Sequence, residues 1–399
     1  MDTAIGTAQA AADDGSLAGE RAASGAVAEL PGDRVDFCQV FCSVDYDYER
    51  VVGAVRDVVG SDAELIGCSA AETFTEDSVE EGAVAVAAVA SDTLTVFTGS
   101  GEGLSDNVRR AVREAVDDLP GDVEGYPYRS AITLHDGLSS VGEELAIVCQ
   151  QKLGPEVTVA GGAAADDHLM QATHVFHGDR VLEDAVVVAL IAGEERPVVS
   201  VAHGHEPLSE PVEVTSADER RVHELDGRPA FQVWKDAVRE SVREEFGADV
   251  DELDADDQLL QRILCEYEFG IDQGERYKMR WPWIEAETGD TLHFAVDVPE
   301  GTVLRVMHGT EDEQIESART TARRALRAAG DTEMAGGFIY DCACRGIVLG
   351  DEFPRAVAAI DDELGLPFSG FETYGETCMG PGEFSGFHNN TTVALLLPK

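Results

Sequence analysis

The sequence predicts an α/β fold, with α+β the alternative: two related αβ halves whose mixed sheets are flanked by helices. Three observations carry this. Apolar, β-branched runs such as "VDFCQVFCS", "AVAVAAVA" and "AVVVALIAG" alternate with helix-spaced segments, the pattern of strands laid under helices. Residues 134–193 read like residues 343–398, each a turn, a helix, a glycine turn and a closing strand. Their intervals also match: Gly137 to Gly162 spans 25 residues and Gly346 to Gly370 spans 24.

Residues 1–33 carry only Ile5, Leu17, Val27 and Leu30 as large aliphatics beyond Met1. So little apolar surface does not offset the entropy of ordering, and the segment reads as a disordered leader. "VDFCQVFCS" is then the first strand, and Val51, Val52, Val55, Val58 and Val59 fall at helical spacing. "AELIGCSAAET", "AVAVAAVA" and "TLTVFTGS" follow as strands, before a helix with Val108, Ala111, Val112, Ala115, Val116 and Leu119 on one face. The run from "TVFTGSGEG" to "SAITLHDG" is similar to that from "VLRVMHGTE" to "GGFIYDCACRG", which extends the duplication upstream. Between the halves, "SVAHGHEPLSEPVEVT" reads as hairpin-like. "DGRPAFQVWKDAVRESVREEF" reads as a helix with Pro229 near its start, and residues 248–262 read as an exposed acidic insertion. The halves divide near residue 230, into an N-terminal domain over 34–230 and a C-terminal domain over 231–399.

Seventy-eight Asp and Glu oppose 29 Lys and Arg in 399 residues, a net charge of −49. The acid is spread along the chain. That reads as adaptation to high salt, a halophilic surface, with an acidic recognition face as the alternative. Nucleic acid is not an expected partner, because binding it needs a basic stripe. The eight cysteines form no CxxC pair and several lie in apolar runs. Buried thiols in a reducing, cytoplasmic setting fit that pattern better than disulfides. No apolar run is long enough for a membrane span, and the acidic N-terminus is unlike a secretory signal. P-loop, GxGxxG, GxSxG and HExxH motifs do not occur.

Three strands end alike: "IGCSAAET", "AGGAAADD" and "SGFETYGE". Glycine there permits positive φ and close backbone approach, and such turns leave amides free for a ligand or a neighbouring loop. Glu72, Asp166, Asp167 and Glu376 follow the glycines within a few residues. Two readings stand open: ordinary strand-to-hairpin turns, or three turns converging on one cleft walled by Phe371 and Tyr374. Arg345, in "CACRGIVLG", either grips a ligand carboxylate through two charge-assisted bonds or braces Asp341. Glu376, Tyr374 and Asp166 would hold an ammonium group, so the set suits a zwitterion such as an amino acid. An enzyme alternative makes Cys342 or Cys344 a nucleophile with His388 as base. His203 and His205 are turn residues or, alternatively, haem or metal ligands.

These motifs together resemble the FIST domain family. "AGGFIYDCACRGIVLG" resembles its Ser-Cys-x-Gly-Arg-Gly motif, "LPFSGFETYGET" its Gly-Phe-Phe-Thr-Tyr-Gly-Glu segment, and "FHNNTTVALLL" its closing strand. "LIGCSAAE" and "TVAGGAAADD" resemble its N-terminal segments, and "EVTSADERRVHELDGRPAFQVW" the link between its halves. The resemblance covers roughly residues 35–399. Asp341 and Cys344 stand where the family has Ser and Gly, and Glu72 where it prefers Gly. The resemblance implies a cytoplasmic sensory module that binds a small ligand, often thought to be an amino acid. It also implies an output partner such as a histidine kinase, separate here because nothing follows Lys399. Some family members bind haem, which is the gas-sensor alternative. The candidate ligand-binding set is Arg345, Gly346, Cys342, Glu376, Tyr374, Phe371, Gly161, Gly162, Asp166, Cys68, Ser69, Asp136 and His388. The expected role is that of a binding protein without cofactor, not an enzyme.

Overall fold

The computed structural model describes residues 2–274, 277–380 and 386–399. Its organisation is mixed α/β, and one supersecondary unit occurs three times. The first copy runs β1 (Ala4–Ala10), α1 (Gly15–Ala28), β2 (Phe37–Ser43), α2 (Tyr48–Val59), β3 (Glu64–Ala70), a hairpin of β4 (Thr73–Thr75) and β5 (Val79–Glu80), then β6 (Val84–Ala90). The second runs β7 (Leu94–Glu102), α3 (Val108–Val116), β8 (Tyr128–His135), α4 (Gly142–Leu153), β9 (Thr158–Ala163), β10 (Val175–His177), β11 (Arg180–Leu182) and β12 (Ala185–Gly193). The third opens with β13 (Val198–Ala202) and is then interrupted.

The interruption comprises β14 (Glu206–Pro207), β15 (Val212–Asp218), β16 (Arg221–Leu225), β17 (Arg228–Pro229), α5 (Ala230–Phe246), α6 (Gln258–Glu266), β18 (Phe269–Asp272), β19 (Tyr277–Arg280), β20 (Pro282–Trp283), β21 (Leu292–Phe294) and β22 (Val303–His308). The third copy then resumes with α7 (Glu311–Ala329), β23 (Met334–Cys342), α8 (Ala343–Leu349), α9 (Phe353–Leu364), β24 (Phe368–Thr373), β25 (Glu376–Met379), β26 (Phe387–His388) and β27 (Thr392–Pro398).

In each copy two strands pair in parallel across a helical crossover: β2 with β3, β8 with β9, β23 with β24. The last strand of the copy lies antiparallel to the first of these, and the opening strand lies outside it. Each hairpin leaves its own sheet. Strand β4 pairs with β24, β10 with β3 and β25 with β9, so the copies exchange hairpins in a closed cycle. The duplication read from residues 134–193 and 343–398 therefore holds in strand order and extends to a third copy.

Side-chain alternation explains the layering. Along β6, Ala85, Ala87 and Val89 face a central core while Val84, Val86, Ala88 and Ala90 face α1 and α2. Strand β12 alternates in the same way between the centre and α3 with α4. The three sheets thus turn one face inward and carry helices on the other, which buries both faces and makes the strands apolar throughout. At the centre Phe41, Tyr340 and Phe371 meet, with Phe41 stacked 4.4 Å from Phe371.

The leader expectation is corrected. Residues 4–28 form β1 and α1, paired to β6 and packed on α2. Small residues are what allow it. A side chain on Gly6 would lie 2.1 Å from the Ala26 carbonyl oxygen, and one on Gly19 would lie 2.9 Å from that of Val51. Close backbone approach through Ala and Gly substitutes here for large aliphatics. Amides of α1 should accordingly exchange with deuterium as slowly as those of β6. Exchange within the dead time would mean the segment is disordered.

Two further expectations change. Residues 200–215 are not a hairpin, since β13 pairs with β27 and β15 with β16 and β22. Residues 248–262 are not simply exposed: Val250 and Leu260 are fully buried in the inserted unit's own core with Trp234 and Phe269. That unit draws strands from both sides of residue 230.

Candidate ligand site at the junction of the modules

The three glycine turns do meet. Ala71 N donates to Glu372 O and Glu372 N to Glu72 O at 3.4 and 2.9 Å, Ala165 N to Ser69 O at 3.0 Å, and Ala163 N to Gly375 O at 2.8 Å. Ala71, Ala165 and Ala343 pack together against Tyr374. Small residues at the turn ends bring the three backbones into contact.

Two cavities flank α8 at this junction. One, of about 140 Å³, is largely apolar and lies under Trp281, Trp283, Cys342, Ile347, Thr373 and Tyr374. The other, of about 540 Å³, is an acidic cleft lined by Glu72, Glu81, Asp167, Asp351 and Glu372 beside Gly346. His168 and Ile347 line both, so the two adjoin. A third groove, along β13 and α7, is lined by Arg196, Ser200 and Arg324 and touches none of the glycine turns.

Electrostatics sharpen the contrast. Glu372 is 3% exposed and its carboxyl lies against Gly346, where a Cβ would fall 2.2 Å from Oε1. Burial, then the neighbouring Glu72, Asp341 and Asp167, push its pKa well above the usual carboxylate range. Burial also raises Glu72 and Asp167 and lowers His168. A cation entering the cleft would relieve this repulsion and desolvation together. On the apolar side, Trp281 Nε1 and Asn389 Oδ1 are buried and hydrogen-bond none of the described residues. Both residues line the cavity, leaving one donor and one acceptor unmatched there.

Of the sequence candidates, Cys342 and Tyr374 line the apolar cavity and Gly346 the acidic cleft. Asp166 supports rather than lines: it accepts from Tyr374 Oη at 2.5 Å and from the amides of Met170, Gln171 and Ala172. It thereby fixes both the Tyr374 ring and the loop carrying His168, which holds Asp167, His168 and Met170 at positive φ. Asp136 likewise ties Leu138, Thr173 and Asp184, and Ser69 Oγ accepts from the His174 amide.

The remaining candidates are corrected as ligand contacts. Arg345 is fully buried and its guanidinium is committed internally. Nε donates to Asp341 at 2.6 Å, Nη1 to Gln314 Oε1 at 2.6 Å and Ser317 Oγ at 2.9 Å, and Nη2 to Gln314 O at 3.1 Å. The Asp341 brace, not a ligand carboxylate, is what it serves. Glu376 is fully buried and accepts from Thr373 Oγ1 and from the Thr391 amide and hydroxyl. Phe371 and Cys68 belong to the central core. Gly161, at φ 143°, and Gly162 make room for Thr133 O and the Thr373 methyl. His388 Nε2 donates to Cys378 O at 3.2 Å, and burial lowers its pKa to about 3. Burial raises the Cys342 thiol to about 12, so the Cys342–His388 pairing is not set up. His205 is a buried turn residue beside Gln314, and the His205 amide donates to His203 Nδ1.

Sequence reasoning missed Trp281, Trp283, Asn389, Thr373, Ile347, Glu81 and Glu372 as lining residues. Two of the chain's three tryptophans stand in "RWPWIE", a signal that was present in the sequence.

The architecture is thus that of an α/β protein of three repeated modules with paired cavities at their junction. The chain belongs to the FIST family, matching the FIST N domain over residues 36–228 and the FIST C domain over 230–379. FIST domains are generally small-ligand sensory domains of signalling proteins. The chain is 25% identical over 301 residues to "Uncharacterized protein MJ1623" of Methanocaldococcus jannaschii, which covers 72% of this chain. It spans 56% of that relative's length. Among solved structures it aligns with a cyanuric acid hydrolase at 12% identity and TM-score 0.34 over 100% of both chains. It aligns with the enzyme from A. caulinodans at 11% identity and TM-score 0.33, over 100% of this chain and 99% of that one. The expectation that the chain is not an enzyme is not kept: the solved structures it aligns with are enzymes, and at TM-scores of 0.33–0.34 they decide neither for nor against catalysis here. At such TM-scores neither their reaction nor their residues are carried over. No described helix is long and apolar enough to cross a membrane.

Proposed function

We propose that the chain is a small-ligand sensory module whose ligand is an amine-bearing metabolite, an amino acid or a close relative. Its apolar body sits under Trp281, Trp283 and Tyr374, and its ammonium group reaches toward Glu72, Asp167 and Glu372. The observation that carries this reading is the adjacency of an aromatic cavity and a cleft of crowded carboxylates, joined at His168 and Ile347. A ligand carboxylate, if present, is met by the Trp281 N–H, which hydrogen-bonds none of the described residues, and not by Arg345. The haem alternative draws no support here: the apolar cavity, about 140 Å³, is below the usual range for large ligands, and the cleft's acids would repel propionates. The eight buried free thiols support a reducing, cytoplasmic setting. The acidic charge supports a halophilic surface, and an output protein such as a histidine kinase reads the bound state.

Thermal shift in molar salt tests this, with amino acids, their amides, aromatic amines and uncharged isosteres. Amines should raise Tm and the isosteres should not. Glu72→Gln should weaken the response about tenfold, since a charge-assisted bond contributes roughly 1.5–3 kcal/mol. Equal responses from amines and isosteres, or from wild type and Glu72→Gln, would sink the reading.

A further inference from the structure

A separate cluster lies in the inserted unit and shares no lining residue with the two junction cavities. Glu245 is in the last turn of α5, Glu266 ends α6 and His308 ends β22. No sequence spacing links them; the inserted unit's packing brings one donor atom of each within 4.8 Å of the others. His308 Nε2 is 3.4 Å from Glu245 Oε2 and 3.5 Å from Glu266 Oε1.

These separations are informative. A charge-assisted N–H···O bond to a carboxylate closes to about 2.7–2.9 Å. Two donors each about 2.1 Å from one ion at the tetrahedral angle stand about 3.4 Å apart. The observed distances fit the second case. His308 Nε2 and Glu266 Oε2 are moreover buried and make no hydrogen bond among the described residues. The Glu266 side chain is 9% exposed, so a desolvated carboxylate oxygen with no hydrogen bond among the described residues belongs to this cluster.

The donors are also held in place. Tyr267 Oη donates to Glu245 Oε2 at 2.5 Å, and its ring stacks on His308 at 4.4 Å. Groups that orient a ligand carboxylate and imidazole in this way are what a metal site requires around it. The competing cation is Arg262, whose Nε is 3.9 Å from Glu266 Oε2. Its Nη2 is drawn to Glu311 at 3.0 Å.

We propose that Glu245, Glu266 and His308 form a binding site for a divalent transition ion, zinc by donor preference. One imidazole and two carboxylates suit Zn²⁺ better than Mg²⁺ or Ca²⁺, which take oxygen ligands and higher coordination. Three protein donors leave a fourth position for an exogenous ligand. The ion ties α5, α6 and β22 together just before α7 re-enters the third module.

The test uses the full chain, stripped with a chelator and titrated with Zn²⁺ and Co²⁺ in molar salt to suppress weak binding by surface acids. One equivalent of zinc should be retained through gel filtration. The Co²⁺ adduct should show tetrahedral d–d bands without a thiolate charge-transfer band. His308→Ala and Glu266→Gln should each weaken binding about 100-fold or more. Glu245→Gln, at the exposed rim, serves as the third variant should either of these fail to fold. No zinc retained by wild type, unchanged retention in the folded variants, or a thiolate band placing the ion on cysteine would each overturn the proposal.

Discussion

Arg345→Ala should lower the unfolding free energy of the ligand-free protein by about 3–5 kcal/mol, the cost of removing one partner from a buried ion pair. The guanidinium joins three elements: Asp341 on β23, Gln314 and Ser317 on α7, and its own position on α8. Its loss leaves Asp341 with Thr392 as its remaining side-chain partner. Burial already raises the Asp341 carboxyl against the lowering effect of Arg345, so without the arginine Asp341 takes up a proton more readily. Arg345→Lys should recover little, because a single ammonium group cannot reach four acceptors spread over a fork. Asp341→Ala should destabilise comparably. Chemical denaturation without ligand decides it. If Arg345→Ala unfolds like wild type and loses only its response to amines, the guanidinium serves a ligand after all.

Glu376→Gln should be more stable than wild type above pH 8 and close to it near pH 5. Burial raises the Glu376 carboxyl to about 8, against the pull of its bonds from Thr373 and Thr391. In the unfolded chain it titrates near the ordinary glutamate value of 4.5. The native state therefore holds the proton more tightly. The stability this provides is full below pH 4.5 and is lost as pH rises to about 8. Each pH unit between those two values corresponds to roughly 1.4 kcal/mol, so the loss is on the order of a few kcal/mol. Gln reproduces the protonated acid, with its carbonyl accepting from Thr391 and its amide donating to Thr373. Glu268 and Glu372 are raised in the same direction, so wild type keeps part of the slope in either case. Denaturant unfolding at several pH values gives the answer: parallel curves for the two proteins would show that Glu376 is ionised in the fold.

The strand–helix alternation of the modules was legible because β6, β12 and β27 are apolar on both faces and their helices carry clean stripes. The first copy was hidden, and the start of the third misplaced, for two physical reasons. In the first copy, β1 and α1 are built on Ala and Gly, whose contribution is close approach, which a count of large side chains does not register. Strand β13 is separated from α7 by the inserted unit, so β22, "VLRVMH", stands in its place along the sequence. The glycine turns correctly marked the junction, but side-chain direction did not follow from them. Phe371 points into the central core and Glu372, one residue on, into the cleft. In strands that alternate faces, a one-residue choice decides wall or core. Nothing in "CACRGIVLG" reveals that α7 passes over Arg345, and so the sequence alone leaves that side chain free to meet a ligand.

The exchanged hairpins also set an order of events during synthesis. When β3 leaves the ribosome, at residue 70, the strand that will pair with its free edge is β10, beginning at Val175. Strand β9 waits longer still, until Glu376 emerges to begin β25. Until then each edge presents unpaired amides and carbonyls to any neighbouring chain. The last strands therefore complete two earlier sheets at once, since β25 closes on β9 while β27 joins β13 to β23. A chain released early would carry finished helices over open sheets, and pairing between chains would compete directly with folding.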